Sequence, residues 1–268
     1  MDYSPGLRGV VAGETEISTV GMEGTSLRYR GYDAIELTKT QTYEDVASLI
    51  IDDNLDGKLF KETFTDHYEN LLKDEDLIKL MENLKVEQHP MDVMRTAISY
   101  IGQADEKNKL QAASKVTAIA CLVIASYNEE SSSQLDAEYT VASSLLPNTA
   151  STQQHEALDD MLILYAEHGF NASTFAARVT ASTRSDLTSA IVSGVGTLKG
   201  ELHGGANEAA VELINSFSNP EDAEKGVYKL LEEKKKIMGF GHGVYKIQDP
   251  RSRVVKNWVE VVSKTEES

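Results

Sequence analysis

The sequence predicts a mainly α-helical fold with a small β element at its front, and three observations carry that reading. From Asp33 onward, apolar residues recur at helical spacing in segment after segment. Prolines and glycines fall where helices start and stop: Pro90 and Pro250 suit first turns, while Gly169, Gly200 and Gly239 suit ends. Runs of strand character, alternating or β-branched and bounded by glycine, are confined to residues 7–32.

Taken in order, the β-rich runs are Gly9-Val-Val-Ala, Glu16-Ile-Ser-Thr-Val and Ser26-Leu-Arg-Tyr-Arg-Gly-Tyr-Asp33. Thr42-Tyr43-Glu44-Asp45 then supplies a helix start, followed by apolar residues at 46, 49, 50 and 51. Similar patterns cover about 57–72, 74–84, 90–101, 111–128, 136–146, 154–167, 171–198, 205–217, 220–235 and 250–264. Asn128 to Gln134 reads as a loop, and the tail from Thr265 as frayed. No internal repeat is visible. The stretch Ala172–Leu198 stands out because Arg178, Arg184 and Asp186 are its only charges. Small residues let helix backbones approach closely, so this segment is expected in the middle of a bundle or, with more weight, in a homodimer interface.

Composition narrows the function. At 268 residues the chain buries a sizeable core, and 41% hydrophobic with 26% charged residues is ordinary for a soluble globular protein. No run reaches the roughly 18 apolar residues of a membrane helix, and the start at Met1-Asp-Tyr-Ser-Pro5 shows no secretory signal, so a cytoplasmic protein without membrane contact is expected. One cysteine, Cys121, excludes an intramolecular disulfide and reads as core filler. A formal charge of −17 argues against nucleic acid as a partner. Against that background, seven Lys or Arg and a single acid, Asp249, lie between Lys234 and Lys256. Such a basic island suggests a small anionic ligand, with a solvated helix end as the plainer alternative.

Three clusters carry chemistry. In Leu162-Ile-Leu-Tyr-Ala-Glu-His168-Gly-Phe-Asn-Ala-Ser-Thr174, a helix ends in Glu-His-Gly and Asn171 opens the next. A histidine at that junction can turn a ring nitrogen toward a pocket, although alone it is as well explained as a structural residue. In Lys199-Gly-Glu-Leu-His203-Gly-Gly-Ala-Asn-Glu208, the glycines let backbone and ligand come close, and the positive end of the following helix favours a neutral His203. A neutral imidazole donates to a carbonyl oxygen that gains negative charge, as in enolate formation. In Ile237-Met-Gly-Phe-Gly-His242-Gly-Val-Tyr-Lys246-Ile-Gln-Asp-Pro-Arg251, a glycine-rich loop exposes backbone amides to an adenine or phosphate, and Arg251 offers a fork suited to a carboxylate. This is neither a dinucleotide fingerprint nor a P-loop. No histidine pair has close metal-ligand spacing, so no metal is expected.

These three strings resemble, in order, the signature regions of citrate synthases. Gly6-Leu-Arg-Gly-Val-Val-Ala, Tyr29-Arg-Gly-Tyr-Asp and His89-Pro-Met-Asp-Val-Met-Arg95 resemble the family's amino-terminal segments, so the likeness runs from about residue 6 to 256. It implies a two-domain helical fold, with residues 1–218 as the large domain and 219–268 as the beginning of a small one, and a homodimer built on antiparallel helices. It implies an acyltransferase that condenses acetyl-CoA with oxaloacetate to citrate and CoA, with acetyl-CoA as cosubstrate and no tightly bound cofactor. A 2-methylcitrate synthase using propionyl-CoA shares the motifs and stays open as an alternative.

The resemblance also implies roles. His168, with Asn171 and Arg251, would bind oxaloacetate; His203 would hydrogen-bond the acyl carbonyl as it enolises; His242 would polarise the oxaloacetate ketone. Ile237, Met238, Gly239, Phe240 and Gly241 would cradle the adenine of CoA, and Lys246 would meet a CoA phosphate. Three positions depart from the family pattern: Glu201 stands for a usual proline, Gly243 for a common arginine and Tyr165 for a common histidine. Glu201 places a negative charge two residues before His203, which favours imidazolium there. The family continues to an Asn-Val-Asp-Phe-Tyr-like motif whose aspartate removes the α-proton. Neither Asp249 nor Glu260 matches it, so the resemblance implies an incomplete small domain and a truncated or degenerate homologue that binds ligand without turnover as a further alternative.

Overall fold

The computed structural model describes residues 11–21, 26–102, 108–128, 139–242, 244–245 and 247–266. Strands β1 (Ser18–Val20), β2 (Leu27–Tyr29) and β3 (Tyr32–Asp33) form an antiparallel sheet in that order, with Ser18 opposite Tyr29 and Tyr29 opposite Tyr32. The β2–β3 connection is two residues, Arg30 and Gly31, with φ of 48° and 90°. Two positive φ values are what a tight hairpin needs to match strand twist. The first β-rich run forms no strand where it is described, at Val11 and Ala12, and Gly9 and Val10 lie outside the described residues.

The helices follow: α1 (Ala34–Leu37), α2 (Tyr43–Asp52), α3 (Lys58–Leu72), α4 (Glu75–Lys85), α5 (Pro90–Tyr100), α6 (Lys109–Ala125) and α7 (Val141–Leu145). Then come α8 (Thr152–Tyr165), α9 (Ala172–Ser182), α10 (Leu187–Leu198), α11 (Gly205–Asn215), α12 (Pro220–Glu232) and α13 (Arg251–Glu266). Their starts are the ones the sequence signals. Thr42 and Asp45 form a reciprocal capping box on α2, and Pro90 opens α5 behind the cap His89. Of the expected helix over 136–146, only α7 is seen, capped by Thr140, and residues 136–138 lie outside the described set. The loop expected over 128–134 is described only at Asn128, and α13 continues through Glu266, past the start of the tail read as frayed.

One helix expected over 171–198 is two. The chain turns at Thr183–Asp186, where Arg184 takes φ 64° and Asp186 caps α10 by accepting from the Ser189 amide at 2.8 Å. A left-handed residue followed by an acidic cap ends one helix and begins another more cheaply than continuing. α9 packs along α10, yet α9 buries no residue completely and α10 buries only Thr188 and Ala190. The charge-poor pair is therefore not enclosed within a bundle by this chain.

The main core lies where α3 crosses α6, around Phe60, Phe64, Ile119, Cys121 and Val123, with α5 and α7 closing it. Cys121 is buried there and burial pushes its thiol up to about 12, as suits a packing residue. A second cluster joins the sheet to α1, α2 and α8: Leu27, Tyr29, Leu37, Val46, Leu49 and Ile163. Tyr29 is fully buried, and its hydroxyl donates to the carbonyls of Ile163 (2.9 Å) and Leu164 (3.2 Å) at the end of α8. No helix of the described residues is long and apolar enough to cross a membrane. Replacing Tyr29 by Phe removes this donor from the Leu164 carbonyl and leaves Ile163 only the Ala166 amide at 3.2 Å; denaturant unfolding should show a loss of about 1–2 kcal/mol, and a loss below the error of the fit would contradict this role.

Candidate active site

α8 ends at Tyr165, and the chain reverses through Ala166–Phe170 into α9. Gly169 has φ 64°, a conformation in which glycine is unstrained, and this turn presents His168. Asn171 caps α9, its side-chain oxygen accepting from the Thr174 amide (2.9 Å) and the Ser173 hydroxyl (2.8 Å). That oxygen is therefore committed to the helix end. Only the side-chain NH2 and the backbone of Asn171 remain for the substrate role the sequence suggests.

His168 meets residues some 75 positions later. Its ring lies 5.3 Å from that of His242 and 5.5 Å from that of Tyr245, and its Nε2 is 3.2 Å from the Tyr245 hydroxyl. Burial lowers the His168 pKa to about 4, helped by the nearby charge of Arg251 and by His242. His168 is thus neutral at pH 7.

His242 is held by its own loop. Its Nδ1 accepts from the amides of Val244 (3.1 Å) and Tyr245 (3.2 Å), which puts the ring proton on Nε2. A neutral histidine with a fixed Nε2–H is a hydrogen-bond donor aimed away from its own backbone, suited to a ketone oxygen.

Arg251, at the start of α13, completes the cluster. It pairs with Asp249 through Nε–Oδ1 (3.0 Å) and Nη2–Oδ2 (2.7 Å), and its guanidinium lies 5.1 Å from the Tyr165 ring and 5.9 Å from the Tyr245 ring. Burial pushes the Asp249 carboxyl up, but its hydrogen bonds and charge pairing with Arg251 hold it below the usual range. Two of five guanidinium N–H groups are used in this pair, which leaves three for an incoming carboxylate.

His203 sits on the turn before α11, bonded elsewhere. The Ser173 amide donates to its Nε2 at 3.3 Å, and the Ser173 hydroxyl oxygen is 2.9 Å away. An amide only donates, so Nε2 accepts and the ring proton sits on Nδ1; the serine hydroxyl shares its proton between Nε2 and Asn171. The helix start that meets the ring is therefore that of α9, not of the α11 that follows in sequence. Burial lowers the His203 pKa, which outweighs the charge of exposed Glu201. The glycine pair also has a different neighbour from the expected ligand: a Cβ on Gly204 would lie 2.6 Å from the Leu198 carbonyl, and one on Gly205 2.9 Å from that of Lys199. These glycines let α11 fold back on the end of α10.

Ile237 to Gly241 form an exposed loop after α12, with Gly239 and Gly241 at φ 85° and 82° and Phe240 79% exposed. The loop passes α11, where a Cβ on Gly239 would lie 3.3 Å from that of Ala210. Lys246 and Gly243 lie outside the described residues. Sequence reading assigned no role to Tyr245, although it stands three residues after His242 in the same string. It is 5% exposed, touches both histidines, and burial raises its pKa to about 12. An open groove of about 600 Å³ between α5 and α10, lined by Arg95, Ser99 and Thr197 among others, lies apart from these side chains.

The pH dependence follows from His168. Its folded pKa of about 4 lies below the unfolded value, so the unfolded chain binds the extra proton and stability falls as pH drops from 7 toward 4. Asp159, raised to about 7 by burial and then by Glu44, has the opposite slope, so the comparison must be with His168→Gln. The wild type should lose on the order of 1–2 kcal/mol more than His168→Gln between pH 7 and 4, after allowance for partial exposure. Parallel profiles from denaturant titrations would contradict a neutral, half-buried His168.

Comparison with known proteins gives a family. A family model described as citrate synthase, C-terminal domain, matches residues 6–268. The chain is 40% identical to a 2-methylcitrate synthase of Shewanella oneidensis, over 95% of this chain and 72% of that one. It is 38% identical to a citrate/2-methylcitrate synthase of Bacillus subtilis, over 95% and 73%. Among solved structures, the Thermoplasma acidophilum citrate synthase in ternary complex with carboxymethyl-CoA and oxaloacetate superimposes with a TM-score of 0.86 at 26% identity, over 99% of this chain and 74% of that one. The helical architecture and small front sheet agree with these matches, and the chain belongs to the citrate synthase family.

Proposed function

We propose that the chain binds oxaloacetate at His168, Arg251 and His242 and condenses it with an acyl-CoA, acetyl-CoA in the main reading. The observation that carries this is the His168–His242–Tyr245–Arg251 cluster. The neutral His168 ring, the His242 Nε2–H and the half-buried Arg251 guanidinium together match a carboxylate beside a ketone. The His242 Nε2–H would polarise the ketone and the His203 Nδ1–H would donate to the acyl oxygen as it becomes an enolate, the α-proton passing to a general base, a role that neither Asp249 nor Glu260 matches. Ile237 to Gly241 offer backbone amides to the adenine, and Lys246 a charge to a phosphate. Oxaloacetate appears with the related Thermoplasma acidophilum enzyme, which supports this ligand class.

The division into a large domain over 1–218 and the beginning of a small one over 219–268 is part of the same proposal. It is supported by α12, which buries no residue, while α13 is anchored to α8 by the Trp258 indole donating to Asp160 at 2.6 Å. A homodimer through α9 and α10 is supported by their charge-poor, incompletely buried surfaces, with Val179 51% and Leu198 38% exposed. A cytoplasmic place in the tricarboxylic acid cycle is part of the same proposal and rests on the family of the chain.

A second reading, 2-methylcitrate synthase using propionyl-CoA, is favoured by the name of the Shewanella relative. Thiol release with oxaloacetate and each acyl-CoA separates the two: a clear preference for propionyl-CoA replaces the first by the second. His242→Ala should lower that release at least about 100-fold, as loss of a preorganised donor does. Oxaloacetate binding without thiol release would instead show a non-catalytic binding protein, and neither binding nor turnover would overturn the proposal.

A further inference from the structure

Ser18, Glu167 and Gly21 take no part in the chemistry above, yet they hold the two segments that carry His168 and His242. One Glu167 oxygen, Oε1, accepts from the Ser18 hydroxyl at 2.9 Å and from the Gly169 amide at 2.6 Å. The same amide also points at the Ser18 oxygen, 3.0 Å away. Strand, helix end and turn are thus closed into one hydrogen-bonded ring around the residue next to His168. Ser18 is 8% exposed, so water is poorly placed to replace it. Burial pushes the Glu167 carboxyl up, and the Ser18 hydroxyl, the Gly169 and His168 amides and Arg178 work against that.

The same strand backs the other histidine. A Cβ on Gly169 would lie 3.5 Å from Val20 Cγ2, so β1 forms the wall behind the turn. At the end of β1, Gly21 has φ 71°, and a Cβ there would stand 2.5 Å from Val244 Cγ1. Val244 is the residue whose amide donates to His242 Nδ1. Just before the strand, a Cβ on Gly13 would lie 3.3 Å from the Phe170 ring, which carries Arg178 on its face at 4.6 Å. Residues 13–21 therefore touch the chain on both sides of the cluster, 150 to 220 positions away in sequence.

We infer that β1 is the positioning element of the site: Ser18 and Glu167 clamp the turn that aims His168, and Gly21 makes room for the loop that orients His242. This rests on reading the cluster as the oxaloacetate site, so the test has one readout that depends on oxaloacetate and one that does not. The first is calorimetric affinity for oxaloacetate and, separately, for CoA. The second is the NMR titration of the His168 ring in the ligand-free full chain.

Removing the charged acceptor in Glu167→Ala should weaken oxaloacetate about tenfold or more while CoA affinity changes less than about twofold. The His168 titration should move up from about 4 toward the ordinary imidazole range as the ring gains solvent. Glu167→Gln keeps an acceptor oxygen and should stay within about threefold of the wild type in both affinities. Gly21→Ala should shift the His242 ring signals. If Glu167→Ala folds and leaves both the His168 titration and oxaloacetate affinity unchanged, the clamp is overturned; equal losses for oxaloacetate and CoA would show a general brace and overturn it too. Should Glu167→Ala fail to fold, Ser18→Ala decides by the same two readouts. If the wild type binds no oxaloacetate, the functional reading falls while the His168 titration alone still decides the clamp.

Discussion

A helix that ends inside a protein leaves its last carbonyls without partners, and at the end of α8 that obligation shapes the site. Burying those groups unpaired would cost more than one hydrogen bond returns. The hydroxyl of Tyr29, from the front sheet, meets the Ile163 and Leu164 carbonyls, so the sheet must sit against α8. With that end fixed, Gly169 in the left-handed region sends the chain back within a few residues, and His168 is left pointing into the molecule. The α9 start that follows presents Ser173 to His203. Two of the three histidines thus take their places from one helix end.

The electrostatics of the site follow from where its charge is spent. Arg251 is paired with Asp249 before any ligand arrives, His168 is kept neutral by burial and neighbouring charge, and His242 accepts two amides on Nδ1. A ligand carboxylate therefore meets donors that need no protonation change, and a developing oxyanion meets N–H groups already oriented. Preorganised donors in a partly buried site act more strongly than the same donors in water.

Much of this was legible in the sequence because it rests on local rules. The Thr42–Asp45 start of α2 and the Pro90 start of α5 are chemistry of three or four adjacent residues, and each forms what its residue types dictate, whereas the Arg30-Gly31 turn splits what reads as one strand-like run. The histidine segments were legible by likeness and by their glycines. What local rules could not give is the partner of each group. The break at Thr183–Asp186 has a readable signal, since Ser-Asp before an apolar run is a helix start, but the absence of proline or glycine there hid it. Asn171 opens α9 as its residue type suggests, and the substrate role that the resemblance implies is left to its side-chain NH2 and backbone. Tyr245, Ser18 and Glu167 gave no sign of their roles, because their partners stand 77, 149 and more positions away, and tertiary packing alone joins them. The two glycines after His203 were read as room for a ligand when the close neighbour is α10, a distinction that spacing does not carry.

Whether His168, His242 and Arg251 form one preorganised site for a keto acid bearing a carboxylate is decided by a crystal structure of the chain with oxaloacetate. The ligand carboxylate should lie on the N–H groups of Arg251 that Asp249 does not use, and the ketone oxygen within hydrogen-bond distance of His242 Nε2, with the Asp249–Arg251 pair and the His168 turn unmoved. A ligand bound elsewhere, or one that reaches the cluster only by breaking the Arg251–Asp249 pair and turning His242 out of its loop, would contradict it.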